Sequence, residues 1–444
     1  MSSAALDMLR AEIASCRVAR PLARVQEVGR GLLRITGMGR DWGIGDRVLI
    51  SGVGHNSGGE IVTLDARGAG VLSDQPPEGI RLGDSVTLVN AAGIAPHDGW
   101  IGRIIDPFGQ PLDGLPLTKG GLNRALRSAP PAPATRRRLG ARLETGMRVF
   151  NTLLPLVRGQ RIGLFAGSGV GKSSLLATFA RHVEADLTVI ALIGERGREL
   201  REFVEDVLGP EGMRRTVVIA ATSDQSPLVR RRCAWAAMAV AEYFRDQGKQ
   251  VLFLADSVTR FAEAHREVAL TAGEPPSLRG FPPSTSHLIM SLAERAGPGP
   301  EGKGDITAVF SVLVAGSDMD EPIADILRGV LDGHIVMDRD IAERGRYPAI
   351  NLLRSVSRSL PWAASEPENA QIAEARKLLG AYDRAEMMIQ AGLYTAGTDP
   401  LIDAAIRVWP ALDAFLAEDE PENRDQSFAR LADILVKAGT LRSL

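Results

Sequence analysis

Residues 161–174 read Arg-Ile-Gly-Leu-Phe-Ala-Gly-Ser-Gly-Val-Gly-Lys-Ser-Ser, residue types in the order that phosphate binding demands. An apolar run, 162–165, feeds the glycine-rich turn Gly167, Ser168, Gly169, Val170 and Gly171, which ends in Lys172, Ser173 and Ser174. Glycines let the backbone bend so that several N–H groups point at one anion. Lys172 has the reach for β- and γ-phosphates, and the Ser173 hydroxyl suits Mg2+. A helix starting near Ser173 adds its positive N-terminal end. Ala166 stands where the strict pattern has glycine, and a small residue still fits there. The bland alternative is a chance glycine-rich turn, which leaves the ordered strand, loop, lysine and hydroxyl unexplained.

Transfer of a phosphoryl group from ATP to water needs four more parts. The run 251–255 ends in Asp256, the Walker-B arrangement for magnesium, although an aspartate there also suits a helix N-cap. A second carboxylate must orient the attacking water, because positioning supplies most of the catalysis. Glu195 follows the apolar run 187–193 in Gly194-Glu195-Arg196-Gly197-Arg198-Glu199. Its rival, Glu199, is expected on the following helix, facing solvent. Arg196 and Arg260 are candidates for stabilising the γ-phosphate, and either equally suits a surface salt bridge. Tyr347-Pro348 offers a ring for adenine, or a ring packed on its own proline.

These groups need a scaffold. Apolar runs at 161–165, 187–193, 216–220, 251–255 and 306–314 alternate with helix-spaced segments at 173–182, 198–208, 228–246 and 258–271. That alternation predicts a largely parallel sheet covered on both faces, with the phosphate loop at the carboxyl end of one strand. Upstream, short apolar segments at 34–35, 47–50, 60–64, 70–72 and 85–89 lie between glycine turns and predict a small β-barrel. A connector with Pro130, Pro131 and Pro133 is expected to be extended and weakly structured. Residues 361–444 have helical spacing, with Ile372, Leu378, Leu379, Leu412 and Phe415 among the apolar positions. Leu6, Leu9 and Ile13 give 3–20 the spacing of a short amphipathic helix, to be folded on a partner or lipid headgroups, or left as a frayed tail. The organisation expected is therefore 1–20 as a partner-binding segment, 21–92 as barrel, 93–360 as core and 361–444 as a helical domain.

Bulk properties narrow the classes. Among 444 residues, 52 Lys and Arg nearly balance 54 Asp and Glu, so bulk charge does not coat nucleic acid or a membrane. Of the local basic runs, Arg136–Arg138 reads as a solvated loop. Arg230–Arg232 opens a helix that could sit at a subunit boundary. Two cysteines, Cys16 and Cys233, and six scattered histidines show no metal spacing and no disulfide framework, which fits a reducing cytosol. No apolar run approaches ~18 residues and no secretory signal is read at the start. The expectation is a protein that acts in the cytosol, or at a membrane by way of partners.

Taken together, the motifs resemble the rotary-type ATPase family that includes the ATP synthase α and β subunits. The matching segments are Gly167 to Ser173, Gly194-Glu195-Arg196, Leu254 to Arg260, Gly273-Glu274-Pro275-Pro276, and Pro348 to Arg358, the last resembling P-A-I-(D/N)-x-x-x-S-x-S. Segments 165–173, 241–249, 321–325 and 331–336 are similar to the flagellum-specific and type III secretion ATPases. The resemblance implies an α/β RecA-like P-loop core with an N-terminal β-barrel and a C-terminal helical domain. It implies a homohexamer using ATP and Mg2+ to energise or regulate flagellar protein export. Implied partners are a stator-like regulator at the N-terminus, a central stalk-like protein, an export gate and chaperone–substrate complexes. By position, Glu195 matches the catalytic glutamate, Arg196 a nucleotide-sensing arginine, Tyr347 the adenine-stacking tyrosine, and Arg358 the arginine a neighbouring subunit inserts toward the γ-phosphate. Asn351 and Asn151 stand where Asp is common, and Ser174-Leu175-Leu176-Ala177 departs from the usual residues after the loop.

Three other readings stand beside this one. A hexameric nucleic-acid translocase shares such a core, but residues 21–90 hold no Phe or Tyr and only Trp42, a poor platform for stacking bases. A virulence-type injectisome ATPase is the nearer alternative. A nucleotide-binding but catalytically silent scaffold is disfavoured by Glu195.

Overall fold

A computed structural model describes residues 21–29, 31–89, 93–314 and 319–439. The segment 1–20, expected to bind a partner, lies outside the described residues. Six strands form the N-terminal closed barrel: β1 (Leu22–Val28), β2 (Leu33–Thr36), β3 (Arg47–Gly52), β4 (His55–Asp65), β5 (Gly68–Ser73) and β6 (Ser85–Val89), in the order β1-β2-β5-β4-β3-β6. Ala23, Val25, Leu33, Ile35, Val48, Ile50, Ile61, Val71 and Val86 fill it. Sequence reading missed β1. Its alternation is muted, because only Ala23 and Val25 are buried while the apolar Leu22 and Val28 face outward.

Downstream, β7 (Gly93–Ile94) pairs with β9 (Arg124–Ala125), and β8 (Ile104–Ile105) becomes an edge of the main sheet. That sheet has nine strands. Besides β8 they are β10 (Arg161–Ala166), β11 (Leu187–Glu195), β12 (Thr216–Thr222), β13 (Val251–Asp256), β14 (Gly297–Pro298), β15 (Asp305–Leu313), β16 (Gly333–Val336) and β17 (Val356–Ser357). The order is β17-β16-β10-β15-β13-β11-β12-β8, with β14 paired to β15. The strands are parallel except for β14 and β17. Nearly every residue of β10, β11, β13 and β15 is buried, as a sheet covered on both faces requires. Parallel register places the ends of β10, β13 and β11 at one edge, where ligands bind in such sheets. Helices Glu366–Gln390, Pro400–Phe415 and Arg424–Lys437 form the C-terminal domain, and the first starts with a capping box from Ser365 and Glu368.

The first basic run differs from expectation, and the second finds its partners inside the chain. Arg136 forms an ion pair with Glu294 (3.2 Å) and Arg137 with Asp305 (2.5 Å), so the proline-rich connector is pinned to the core instead of solvated. Arg231 and Arg232 are buried within the chain itself. Arg231 pairs with Glu60 of β4 at 2.7 Å, and Arg232 donates to the carbonyls of Pro107 and Gly93, both at 3.0 Å. They tie the barrel and connector to the helix Pro227–Asp246 of the same chain. Charge counts alone cannot reveal such partners, which lie more than a hundred residues away.

Candidate active site

β10 ends at Ala166, and the chain turns through 167–171 into the helix Lys172–His182. Two glycines take left-handed φ, Gly169 at 78° and Gly171 at 88°, which side-chain-bearing residues adopt only at a cost. A Cβ at Gly171 would come within 3.2 Å of the Tyr347 ring. The structure therefore brings Tyr347, half exposed, directly against the phosphate loop, although 175 residues separate them in sequence. Of the two readings of that ring, this position at the phosphate loop suits the one that offers it to adenine. The helix N-terminus leaves backbone N–H groups without helical partners, a ready anion site.

Asp256 ends β13 and is buried. Its Oδ1 accepts an ion pair from Lys172 Nζ and a hydrogen bond from Ser311 Oγ at 2.7 Å. The helix N-cap that follows is Ser257, whose side chain accepts from Arg260 N, so Asp256 is free of capping duty. Ser173, Asp256, Glu195, Glu199 and the apolar Leu192 and Phe203 line one cavity of about 180 Å³. Burial, with the Asp256 carboxylate nearby, pushes the Glu195 acid up from 4.5 to about 7. A hydrogen bond from that acid in turn holds Glu199 below the usual carboxylate range. Glu199 is thus exposed, as expected, yet also lines the site and contacts Glu195.

The arginines divide. Arg196 is exposed and pairs with Glu199 at 3.0 Å, one bond away from the cavity wall. Arg260 pairs with Glu263 at 3.2 Å, and its aliphatic stem lies near Gly194 at the end of β11. Arg358 is elsewhere. Its N–H donates to Asp332 O at 3.0 Å, and Asp332 N donates to Arg161 O at 2.8 Å. Arg358 is therefore level with the first residue of β10, while the phosphate loop begins after the last. Five residue steps of β-strand put the two ~17 Å apart along the sheet. The Arg358 guanidinium is exposed and donates to Arg328 O at 3.2 Å.

The nucleotide-binding domain of the ATP synthase alpha/beta family matches residues 146–357, and the C-terminal domain of the type III secretion ATPase EscN matches 364–433. A flagellum-specific ATP synthase of Caulobacter vibrioides is 47% identical, over 94% of this chain and 95% of that one. The chain belongs to the ATP synthase alpha/beta family. Within it, the ATPase groups with the flagellum-specific and type III secretion enzymes. The assembled ATPase EscN of enteropathogenic E. coli superposes with a TM-score of 0.85 at 34% identity, covering 93% of this chain and 100% of that one. EscN in complex with its central stalk EscO superposes equally, with a TM-score of 0.85 at 35% identity and the same coverage.

Family membership carries the fold and the ATPase activity; the local chemistry of this ATPase adds two contacts that sequence reading did not find. One is the Glu195–Glu199 hydrogen bond. The other is Ser311, a hydroxyl in an otherwise apolar stretch 308–314, a pattern that could have flagged it. Among the described residues no cluster of three or more His, Cys, Asp or Glu could hold a metal, and no helix is long and apolar enough to cross a membrane. The Ser173 hydroxyl and Asp256 carboxylate are hard oxygen donors on one cavity, a set that suits Mg2+ shared with phosphates.

Proposed function

We propose that this ATPase hydrolyses ATP as a homohexamer to energise or regulate export of flagellar proteins through a type III secretion apparatus. Identity of 47% to a flagellum-specific relative, against 34% to EscN, favours the flagellar apparatus over an injectisome. One observation carries the ring: Ser173, Asp256 and Glu195 line one cavity with Lys172 paired to Asp256, while Arg358 sits exposed at the opposite end of the same sheet. An arginine so placed can meet a triphosphate only on another subunit.

In this reading, Gly167, Ser168, Gly169, Val170, Gly171 and Ser174 cradle the phosphates through the loop backbone and helix N-terminus. Lys172 leaves Asp256 for the β- and γ-phosphates, and Tyr347 stacks on the adenine. Ser173 and Asp256 would hold Mg2+, which supplies charge neutralisation on the phosphates. Glu195 orients the attacking water and takes its proton, which requires the carboxylate form. Arg196, exchanging Glu199 for the nucleotide, serves as sensor. Arg358 from the neighbour meets the charge that builds on the γ-phosphate, a contribution of ~10³-fold or more in related phosphoryl transfers.

The proposed partners are a stator-like regulator at 1–20, a central stalk-like protein, chaperone–substrate complexes and an export gate. The enzyme is placed in the cytoplasm, peripheral at the inner membrane face through those partners, with no nucleic acid bound. The domain limits 21–92, 93–360 and 361–444 are proposed on the same footing. Specific ATPase activity should rise steeply with protein concentration as the ring assembles. A monomer, proven by light scattering, that hydrolyses ATP as fast as the hexamer would overturn the trans arginine.

A further inference from the structure

We infer that Ser311 is a positioning residue for the metal-holding carboxylate: its buried hydroxyl fixes Asp256 while Lys172 changes partners. The inference rests on the assignment of Asp256 above and deepens it. Ser311 lies on β15 and is fully buried. Its neighbours Phe310 and Val312 are apolar, so a hydroxyl is out of character and costly unless bonded. Its hydrogen of choice goes to Asp256 Oδ1 at 2.7 Å, the same oxygen that Lys172 Nζ pairs with.

The shared oxygen is the key. Lys172 must serve two anions in turn, Asp256 in the structure seen here and the phosphates when nucleotide arrives. Once it departs, the buried Asp256 loses a charged partner, and nothing in the lysine's motion preserves the carboxylate's orientation. The Ser311 hydroxyl sits on a rigid central strand, flanked by β10 and β13, and cannot follow the nucleotide. It holds one carboxylate oxygen through the exchange and leaves the other to the cavity's ligand. A second hydroxyl secures the same corner: Thr259 Oγ1, on the helix just after Asp256, accepts from Leu313 N at 2.9 Å. The end of β13 is thereby fastened to the end of β15 at the carboxylate and again three residues after it.

The test separates the hydroxyl from the volume it fills. Ser311→Ala, Ser311→Val and Ser311→Thr would be compared by titrating Mn2+ into the enzyme–ADP complex and reading free Mn2+ by electron paramagnetic resonance. Ser311→Ala and Ser311→Val should weaken Mn2+ by ~10-fold or more, the usual worth of a hydrogen bond to a charged group. Ser311→Thr, which keeps the hydroxyl on a β-branched side chain suited to a strand, should restore it. Metal-free ADP affinity should change less than about twofold in all three, since phosphate contacts do not involve Ser311. Asp256→Asn serves as the reference. If Asp256→Asn weakens Mn2+ and Ser311→Ala and Ser311→Val do not, the positioning role is wrong while the Asp256 assignment stands. If Asp256→Asn itself binds Mn2+ normally, both fall.

Discussion

Replacing Glu195 by Gln tests the electrostatics of the site without changing its shape. The acid titrates near 7 in the folded chain against an ordinary 4.5. The sign follows from proton counting. Between those two values the folded state holds a proton that the unfolded chain has released, so stability falls as pH rises through that window. A shift of about 2.5 decades at ~1.4 kcal/mol each sets a ceiling of ~3 kcal/mol. Glu195 is only partly buried, and solvent screening reduces this to ~1–2 kcal/mol. Glu195→Gln removes the titration yet keeps an N–H donor for Glu199, and the carboxylates that do not interact with Glu195 cancel in the comparison. Urea denaturation of both proteins at pH 5, 6, 7 and 8 should therefore show the wild type losing ~1–2 kcal/mol relative to the variant across the range. Turnover should report the same group in the opposite sense, rising with pH to a plateau above about 7 as the carboxylate forms. In Glu195→Gln it should drop ~10²–10⁴-fold with nucleotide affinity retained. A stability difference that is flat with pH would refute the burial argument. Unchanged turnover would reassign the group that handles water.

Arg358→Ala should lower kcat by ~10³-fold while leaving assembly intact, and mixing it with an inactive Lys172→Ala chain should recover activity in mixed rings; absence of recovery would argue against a site shared between subunits. Gly171→Ala should cost ~1–2 kcal/mol in backbone strain and push on Tyr347, weakening ATP binding measured by calorimetry. Tyr347→Phe should keep ATP affinity and Tyr347→Ala should lose ~10-fold, the worth of a ring contact. Arg231→Ala leaves Glu60 buried and should destabilise the chain by ~3 kcal/mol in denaturant, the low end for such pairs because Arg127 stands 3.4 Å from Glu60; adding Glu60→Gln should recover part of the loss.

The phosphate loop and the ends of β11 and β13 were legible because each is a local pattern: an apolar strand followed by a residue type with one chemical use. The glycine turns likewise announced a barrel. The strand β1 was not legible, since its outward Leu22 and Val28 hide the alternation. Helix 198–208 was found, but it divides into an α-helix, Gly197–Glu202, and a wider π turn, Phe203–Leu208, a change of winding that apolar spacing does not encode.

By itself, then, the order of residues determined the chemistry: which loop wraps phosphates, which carboxylates end which strands, and which arginines are available. Only folding decided their geometry. It set Tyr347 on Gly171, joined Lys172 and Ser311 to a single oxygen of Asp256, and moved Arg358 to the far end of the sheet. Local patterns depend on neighbours a few positions away, whereas a parallel sheet aligns strands by burying both faces, and that alignment chooses partners from anywhere along the chain.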